Sequence, residues 1–377
     1  MRKLCYVSGT RADFGLICST LQKAAADPRL QVGICVTGMH LQPQYGETIK
    51  EIEASGLPIV ARIPVSLDGS DGAVMAQALA TELAGLVKFF LKERPDIVLL
   101  LGDRGEMLAG ALAALHLNIP VVHLHGGELS GTVDEPIRHA ISKLSHYHFT
   151  ATSGARERLI RMGELPERIF VSGAPGLDGI NAGLEIERNQ FCEAQGFSPS
   201  RPLALLLFHP VVQEAHMAGE QTRQILAALD TTNCQALALM PNADAGGIQV
   251  SIALEQWASG RLGTRLRKHL PRAEYLTWLA NADLLIGNSS SGIIEAASFG
   301  LPVINIGSRQ EGRERSGNVL DVGHASTEIV TAITATLARG RQPMVNVYGD
   351  GRAGERIVEW LATLPLDPVL LSKRNAY

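Results

Sequence analysis

The chain alternates short apolar runs with longer amphipathic stretches almost from end to end, and this alternation constrains its fold more than any other feature. Residues 4–8, 32–37, 97–101, 121–124 and 149–151 read as strands, and residues 203–208, 236–240, 284–286 and 303–306 repeat the pattern in the second half. Between them lie Ala- and Leu-rich segments of helical length, around 75–92, 105–115, 134–148, 222–229, 276–280 and 292–298. Strand–helix alternation with nearly continuous apolar strands is the mark of a parallel sheet covered on both faces. With 377 residues, one such sheet is too few, and two doubly wound Rossmann-like α/β domains with an interdomain cleft are expected. The division expected is 1–175 and 176–350, with a Gly- and Pro-marked linker within 173–202 and the segment 351–377 packing back on the first domain.

Composition narrows the class. Apolar residues make up 46% and charged residues 19%, enough for large cores and far from disorder. A net charge of −4 offers no basic field, so neither nucleic acid nor an anionic membrane is expected as a partner. The five cysteines form no CxxC pair, which argues for a reducing cytoplasm and against a disulfide or zinc framework. No run approaches the ~18 uninterrupted apolar residues of a membrane helix. Neither cofactor nor metal is expected.

In such sheets ligands bind beyond the carboxyl ends of the strands, and the polar punctuation of this chain falls there. The richest is Gly287-Asn288-Ser289-Ser290-Ser291-Gly292, small hydroxyl residues entering a helix. Free backbone N–H groups there suit a phosphate, although one serine alone would serve as an ordinary N-cap. Glu295, a turn later, either complements the helix dipole or accepts from a ribose diol. Gly9-Thr10-Arg11-Ala12-Asp13 follows the first strand; it is neither a dinucleotide fingerprint nor a P-loop, and Arg11 is either a diphosphate ligand or a surface residue.

Asp103, Glu128 and Asp134 follow strands or open a helix in the first half. Thr132 and Glu135 fit a capping box that puts Asp134 in a first helical turn, where pairing with Arg138 is the plain alternative. Asp103-Arg104 is read either as cleft residues or as a local ion pair. Three carboxylates at one cleft edge would shift each other's pKa and so separate acid from base. His209, just before a proline at a strand end, faces the same cleft from the second half.

Taken in order, Gly9-Thr10-Arg11-Ala12-Asp13, Thr37-Gly38-Met39-His40, Gly102-Asp103-Arg104, residues 127–144, His209-Pro210-Val211, residues 242–246, 287–292 and 307–313 resemble the hydrolysing UDP-N-acetylglucosamine 2-epimerase family over nearly the whole chain. The resemblance implies a glycosyltransferase-B-like fold with UDP on the second domain. It implies anti elimination of UDP to a 2-acetamidoglucal, then hydration to the 2-epimeric free sugar. It makes Asp103, Glu128, Asp134 and His209 catalytic, with His209 helping at the diphosphate. It makes Arg11, Arg104, Arg138, Asn242, Asp244, Ser289, Ser290, Ser291, Gly292, Glu295 and Arg313 binding residues. The expected substrate is UDP-N-acetylglucosamine, for sialic-acid-type synthesis, with UDP-N,N′-diacetylbacillosamine as the alternative. A glycosyltransferase or a silent UDP-sugar sensor ranks below both. A homodimer or homotetramer is implied, with the helix at 109–115 offered as an interface.

Overall fold

The computed structural model describes residues 1–68, 72–130, 134–180, 186–242 and 244–376. Thr132, the expected cap, lies outside them. The first sheet holds β1 (Arg2–Ser8), β2 (Leu30–Val36), β3 (Ile59–Arg62), β4 (Ile97–Leu101), β5 (Val121–Leu124), β6 (Tyr147–Thr150) and β7 (Ile169–Val171). The second holds β8 (Leu203–Leu207), β9 (Gln235–Leu239), β10 (Thr264–Arg267), β11 (Leu284–Gly287), β12 (Val303–Ile306) and β13 (Val319–Val322). Their orders are β3-β2-β1-β4-β5-β6-β7 and β10-β9-β8-β11-β12-β13, and every pairing is parallel. Both orders reverse beside the first strand of the sheet, between β1 and β4 and between β8 and β11. A crevice opens at such a switch point.

The strands absent from the apolar pattern are the four sheet edges. β3, β7, β10 and β13 are half-buried. An edge strand covers fewer apolar neighbours, so sequences such as Thr-Arg-Leu-Arg in β10 carry no apolar run. The helix expected over 134–148 stops at Leu144, because Tyr147 begins β6. The one expected over 292–298 is a five-residue helix, Ser290–Ile294, followed by a 3-10 turn.

Each sheet has apolar clusters on both faces. The helix Gly105–His116 was expected to offer an interface, but Ala109, Ala111, Ala113 and Ala114 are fully buried. The helix Gly72–Glu93 packs against it and places Leu86 and Phe90 in the same cluster. By length and apolarity alone Gly72–Glu93 would pass for a membrane span; in this fold it is a covering helix of the first sheet.

The end of the chain returns to the first sheet. Ala353, Ile357 and Leu361 of the helix Ala353–Thr363 join the cluster built on Leu4, Tyr6 and Leu21. Asp178 caps that helix, accepting from the Ala353 and Gly354 amides at 2.8 Å each. Farther on, Lys373 Nζ donates to the carbonyls of Ser142 and Ser145 and lies 2.7 Å from Glu164. Glu164, 3% exposed, also meets Lys143 at 2.7 Å and His148 at 3.0 Å. Burial works against its charge, but His148 and the two lysines prevail and hold the carboxyl at about 2.

Removing one partner of a buried charge strands the others. Lys373→Ala is therefore expected to cost about 2 kcal/mol, seen as a lower urea midpoint at unchanged m. Because the Glu164 carboxyl sits below its unfolded value, its stabilisation is complete above that value and is lost as pH falls towards 2. Glu164→Gln should flatten the acid limb of the stability–pH curve.

Candidate active site

The loop after β1 is set by one carboxylate. Asp13, in the first turn of the helix Arg11–Ala26, accepts from Gly9 N at 3.1 Å, Thr10 N at 2.6 Å, Thr10 Oγ1 at 3.0 Å, Ser8 Oγ at 2.5 Å and Tyr6 Oη at 2.9 Å. A carboxylate so saturated holds the loop in one shape and presents Arg11 to the cleft. The Arg11 guanidinium reaches the Lys268 carbonyl and, at 3.4 Å, that of Met240, so it bridges to the second sheet.

The acids lie after β4 and β5. Arg138, 1% exposed, pairs with Asp103 and donates to Glu128 O at 2.9 Å and Ser130 Oγ at 3.3 Å. Asp103 and Arg104 thus find separate partners instead of closing a local pair, since Arg104 Nη2 reaches Asp244 at 3.2 Å across the cleft. Glu128 is 4% exposed, with His125 Nδ1 at 2.5 Å and Arg313 Nη1 at 3.0 Å. Burial opposes its ionisation, but Arg313 and His125 outweigh that and hold its pKa below the ordinary value. His125 bends into the left-handed region, φ +61°, to make this contact; a non-glycine residue there is strained and needs its surroundings to hold it. Asp134 opens the helix Asp134–Leu144, 3.7 Å from Arg309. Glu135 of the expected capping box accepts from Ser130 N at 2.6 Å.

The opposite bank comes from the second sheet. Asn288 exchanges two 2.8 Å bonds with the His209 backbone, which locks the loop after β8 to the loop after β11. Arg309 and Gln310 both donate to the Asn288 carbonyl. Ser289 caps the short helix, leaving Ser290 and Ser291 facing the cleft with Glu295 behind them against Arg272. Because the helix is short, its hydroxyls and first amides matter more for an anion than its dipole does. Tyr275 Oη contacts Ser291 Oγ at 2.5 Å.

Burial first, and then the charge of Arg309, lower the His209 pKa to about 3. The ring is therefore neutral. Its Nδ1 accepts from Asn242 N at 3.4 Å, which leaves the proton on Nε2. His209 thus carries a neutral ring with its N–H on Nε2.

Arg11, Asp103, Arg104, Asp134, His209, Asn242, Ser289, Ser290, Ser291 and Glu295 line one cleft. Other expected site residues lie behind its wall. Arg313, expected at UDP, is taken up by Glu128 and stands 4.0 Å from Asp103. Gly292 is a packing residue: a Cβ there would come within 2.9 Å of Val303. Asp244, 7% exposed, serves Arg104. Arg309, Arg272, Tyr275, Glu51 and His269 also line the cleft and were not singled out. Arg309 lay within a quoted motif, whereas the others sit in amphipathic segments with nothing to mark them.

Two parallel sheets whose carboxyl ends close on one cleft, acids on one bank and serines, a neutral histidine and arginines on the other, define a glycosyltransferase-B-like nucleotide-sugar enzyme. The comparisons agree. The family profile described as UDP-N-acetylglucosamine 2-epimerase matches residues 22–362. A UDP-N,N′-diacetylbacillosamine 2-epimerase (hydrolyzing) of Legionella pneumophila is 50% identical over 377 residues, all of both chains. A UDP-N-acetylglucosamine 2-epimerase of Neisseria meningitidis is 32% identical over 93% of this chain and 92% of its own. The crystal structure of the Neisseria meningitidis UDP-GlcNAc 2-epimerase bound to UDP-GlcNAc superposes with a TM-score of 0.81 at 18% identity, covering 95% and 99% of the two chains. The chain belongs to the UDP-N-acetylglucosamine 2-epimerase family and is an enzyme.

The neutrality of His209 is open to measurement. In nitrogen-15 spectra its ring should show the Nε2–H tautomer and stay neutral from pH 8 down towards its folded value of about 3.

Proposed function

We propose that this enzyme is a hydrolysing 2-epimerase that takes a UDP-linked 2-acetamido sugar and water to UDP and the 2-epimeric free sugar. The observation that carries the reading is the facing pair of banks: Asp103 and Asp134 with Glu128 close behind on one side, His209 and Ser290-Ser291 on the other. In the first step a carboxylate takes the C2 proton while the C1–O bond breaks and its electrons pass to the diphosphate, leaving the 2-acetamidoglucal. In the second, water oxygen adds at C1 and a proton returns to C2 on the other face. The C2 proton is weakly acidic, so the transition state carries most of its charge on the leaving diphosphate. Neutral His209 Nε2–H, the serine hydroxyls, Arg11 and Arg309 line the cleft where they can receive that charge by hydrogen bonds. Asp103 and Asp134, facing the cleft, suit proton transfer to and from the sugar; Glu128, ionised against Arg313 and His125, suits guiding it.

UDP-N,N′-diacetylbacillosamine is the substrate this reading favours, on the strength of 50% identity over the full length of the Legionella relative. UDP-N-acetylglucosamine is the second reading, supported by the Neisseria relative at 32%. A cytoplasmic site of action goes with either, as does a sugar-side unit of residues 1–175 carrying 351–377 and a UDP-side unit of 176–350. Assembly into a dimer or tetramer would use the outward face of Gly72–Glu93, where Ala73, Ala76, Ala80 and Ala84 are exposed.

Proton NMR in D2O with each UDP-sugar tests the proposal: UDP and a free 2-epimeric sugar carrying deuterium at C2 are expected, with the diacetylbacillosamine conjugate turned over faster. Retention of the proton at C2 would exclude the elimination route. Glu128→Gln should keep UDP affinity and lower kcat by at least about a hundredfold, because the proton transfers that its charge guides contribute on that scale.

A further inference from the structure

Behind Arg104 lies a second pair of carboxyls that the chemistry above does not use. Glu106, 8% exposed, opens the helix Gly105–His116, and its Oε2 lies 3.4 Å from Arg104 Nε. Its carboxylate fits a cradle of two glycines: a Cβ at Gly9 would come within 2.6 Å of its Cγ, and one at Gly38 within 3.0 Å of its Oε1. Glu82, 3% exposed on the helix Gly72–Glu93, closes the cradle. Thr37 has one hydroxyl hydrogen, which the Ile63 carbonyl accepts at 2.8 Å. The same hydroxyl lies 3.2 Å from Glu82 Oε1, a second acceptor within its reach. Burial first, and then the charge of Glu106, push the Glu82 carboxyl up to about 9, so it stands as a neutral acid. The Arg104 guanidinium is thus held on one side by Glu106 and on the other by Asp244 from across the cleft. Burial alone would weaken its charge, but Asp244, Glu106 and Asp134 outweigh it.

We propose that Glu106 is a positioning residue for sugar recognition, aiming the Arg104 guanidinium at the sugar end of the cleft. The inference rests on the UDP-sugar reading above, which the wild-type enzyme tests separately by releasing UDP from the sugar nucleotide in the same assay. Glu106→Gln keeps the side chain's volume within the cradle and removes its charge. It should raise KM for the UDP-sugar about tenfold, as expected for a lost charge-assisted contact, with kcat changed less than about threefold and the Kd of UDP alone unchanged. Glu106→Asp, which keeps the charge and withdraws it by one methylene, should give a smaller rise. In an Arg104→Ala background, Glu106→Gln should add less than about twofold, because it acts through the missing guanidinium. An unchanged KM, a full additional effect without Arg104, or a parallel loss of UDP affinity would each overturn the proposal.

Discussion

A carboxylate that is 4% exposed cannot stay ionised alone, and at Glu128 the cation that keeps it so comes from the other sheet. Arg313 reaches over from the loop region after β12 to within 3.0 Å, so a buried ion pair sets the distance between the two banks of the cleft. Removing one partner of such a pair costs about 3–5 kcal/mol, because the other is left buried and uncompensated. Two weaker ties run parallel to it, Asp134 to Arg309 at 3.7 Å and Arg104 to Asp244 at 3.2 Å. The last reverses the sign, with its cation on the first bank. Glu128, Asp134 and Asp244 thus each meet an arginine that the same sheet does not carry.

This arrangement explains the odd backbone at His125. Holding φ at +61° costs about 1–3 kcal/mol, and that conformation brings the ring to Glu128. Gly126 and Gly127 make the turn possible; a Cβ at Gly127 would come within 2.4 Å of the Ala155 carbonyl. His209, on the opposite bank, is treated in the contrary way. One histidine leans on a carboxylate, the other is kept neutral among arginines. The same side chain therefore serves as an acid's companion on one bank and as an uncharged donor on the other.

Much of this was legible in the residues. The inner strands announce themselves because burial on both faces demands unbroken apolar runs, as in Ile97–Leu101 and Leu203–Leu207. The four edges stayed hidden because half of each faces solvent. The strand-end clusters revealed the cleft, since small and polar residues break those runs where the chain turns to meet a ligand. What the residues did not disclose is which arginine lines the cleft and which is buried in an ion pair. Arg309 and Arg313 stand four apart in one loop, yet Arg309 lines the cleft and Arg313 is buried against Glu128. That difference is decided by a partner some 180 residues earlier in the chain. Gly292, next to three serines, suggests close approach of a phosphate; the packing that also requires a glycine there, against Val303, was not legible.

The return of Ala353–Thr363 and Lys373 to the first sheet has a consequence for how the protein is made. The ribosome delivers β1 to β7 well before it delivers the helix that covers Leu4 and Leu21 or the lysine that neutralises Glu164. Throughout synthesis of the second sheet, the first has an open apolar flank and a buried glutamate short of one cation. The half translated first is therefore the half finished last, and a nascent chain stalled anywhere before residue 353 exposes that flank to chaperones or to aggregation.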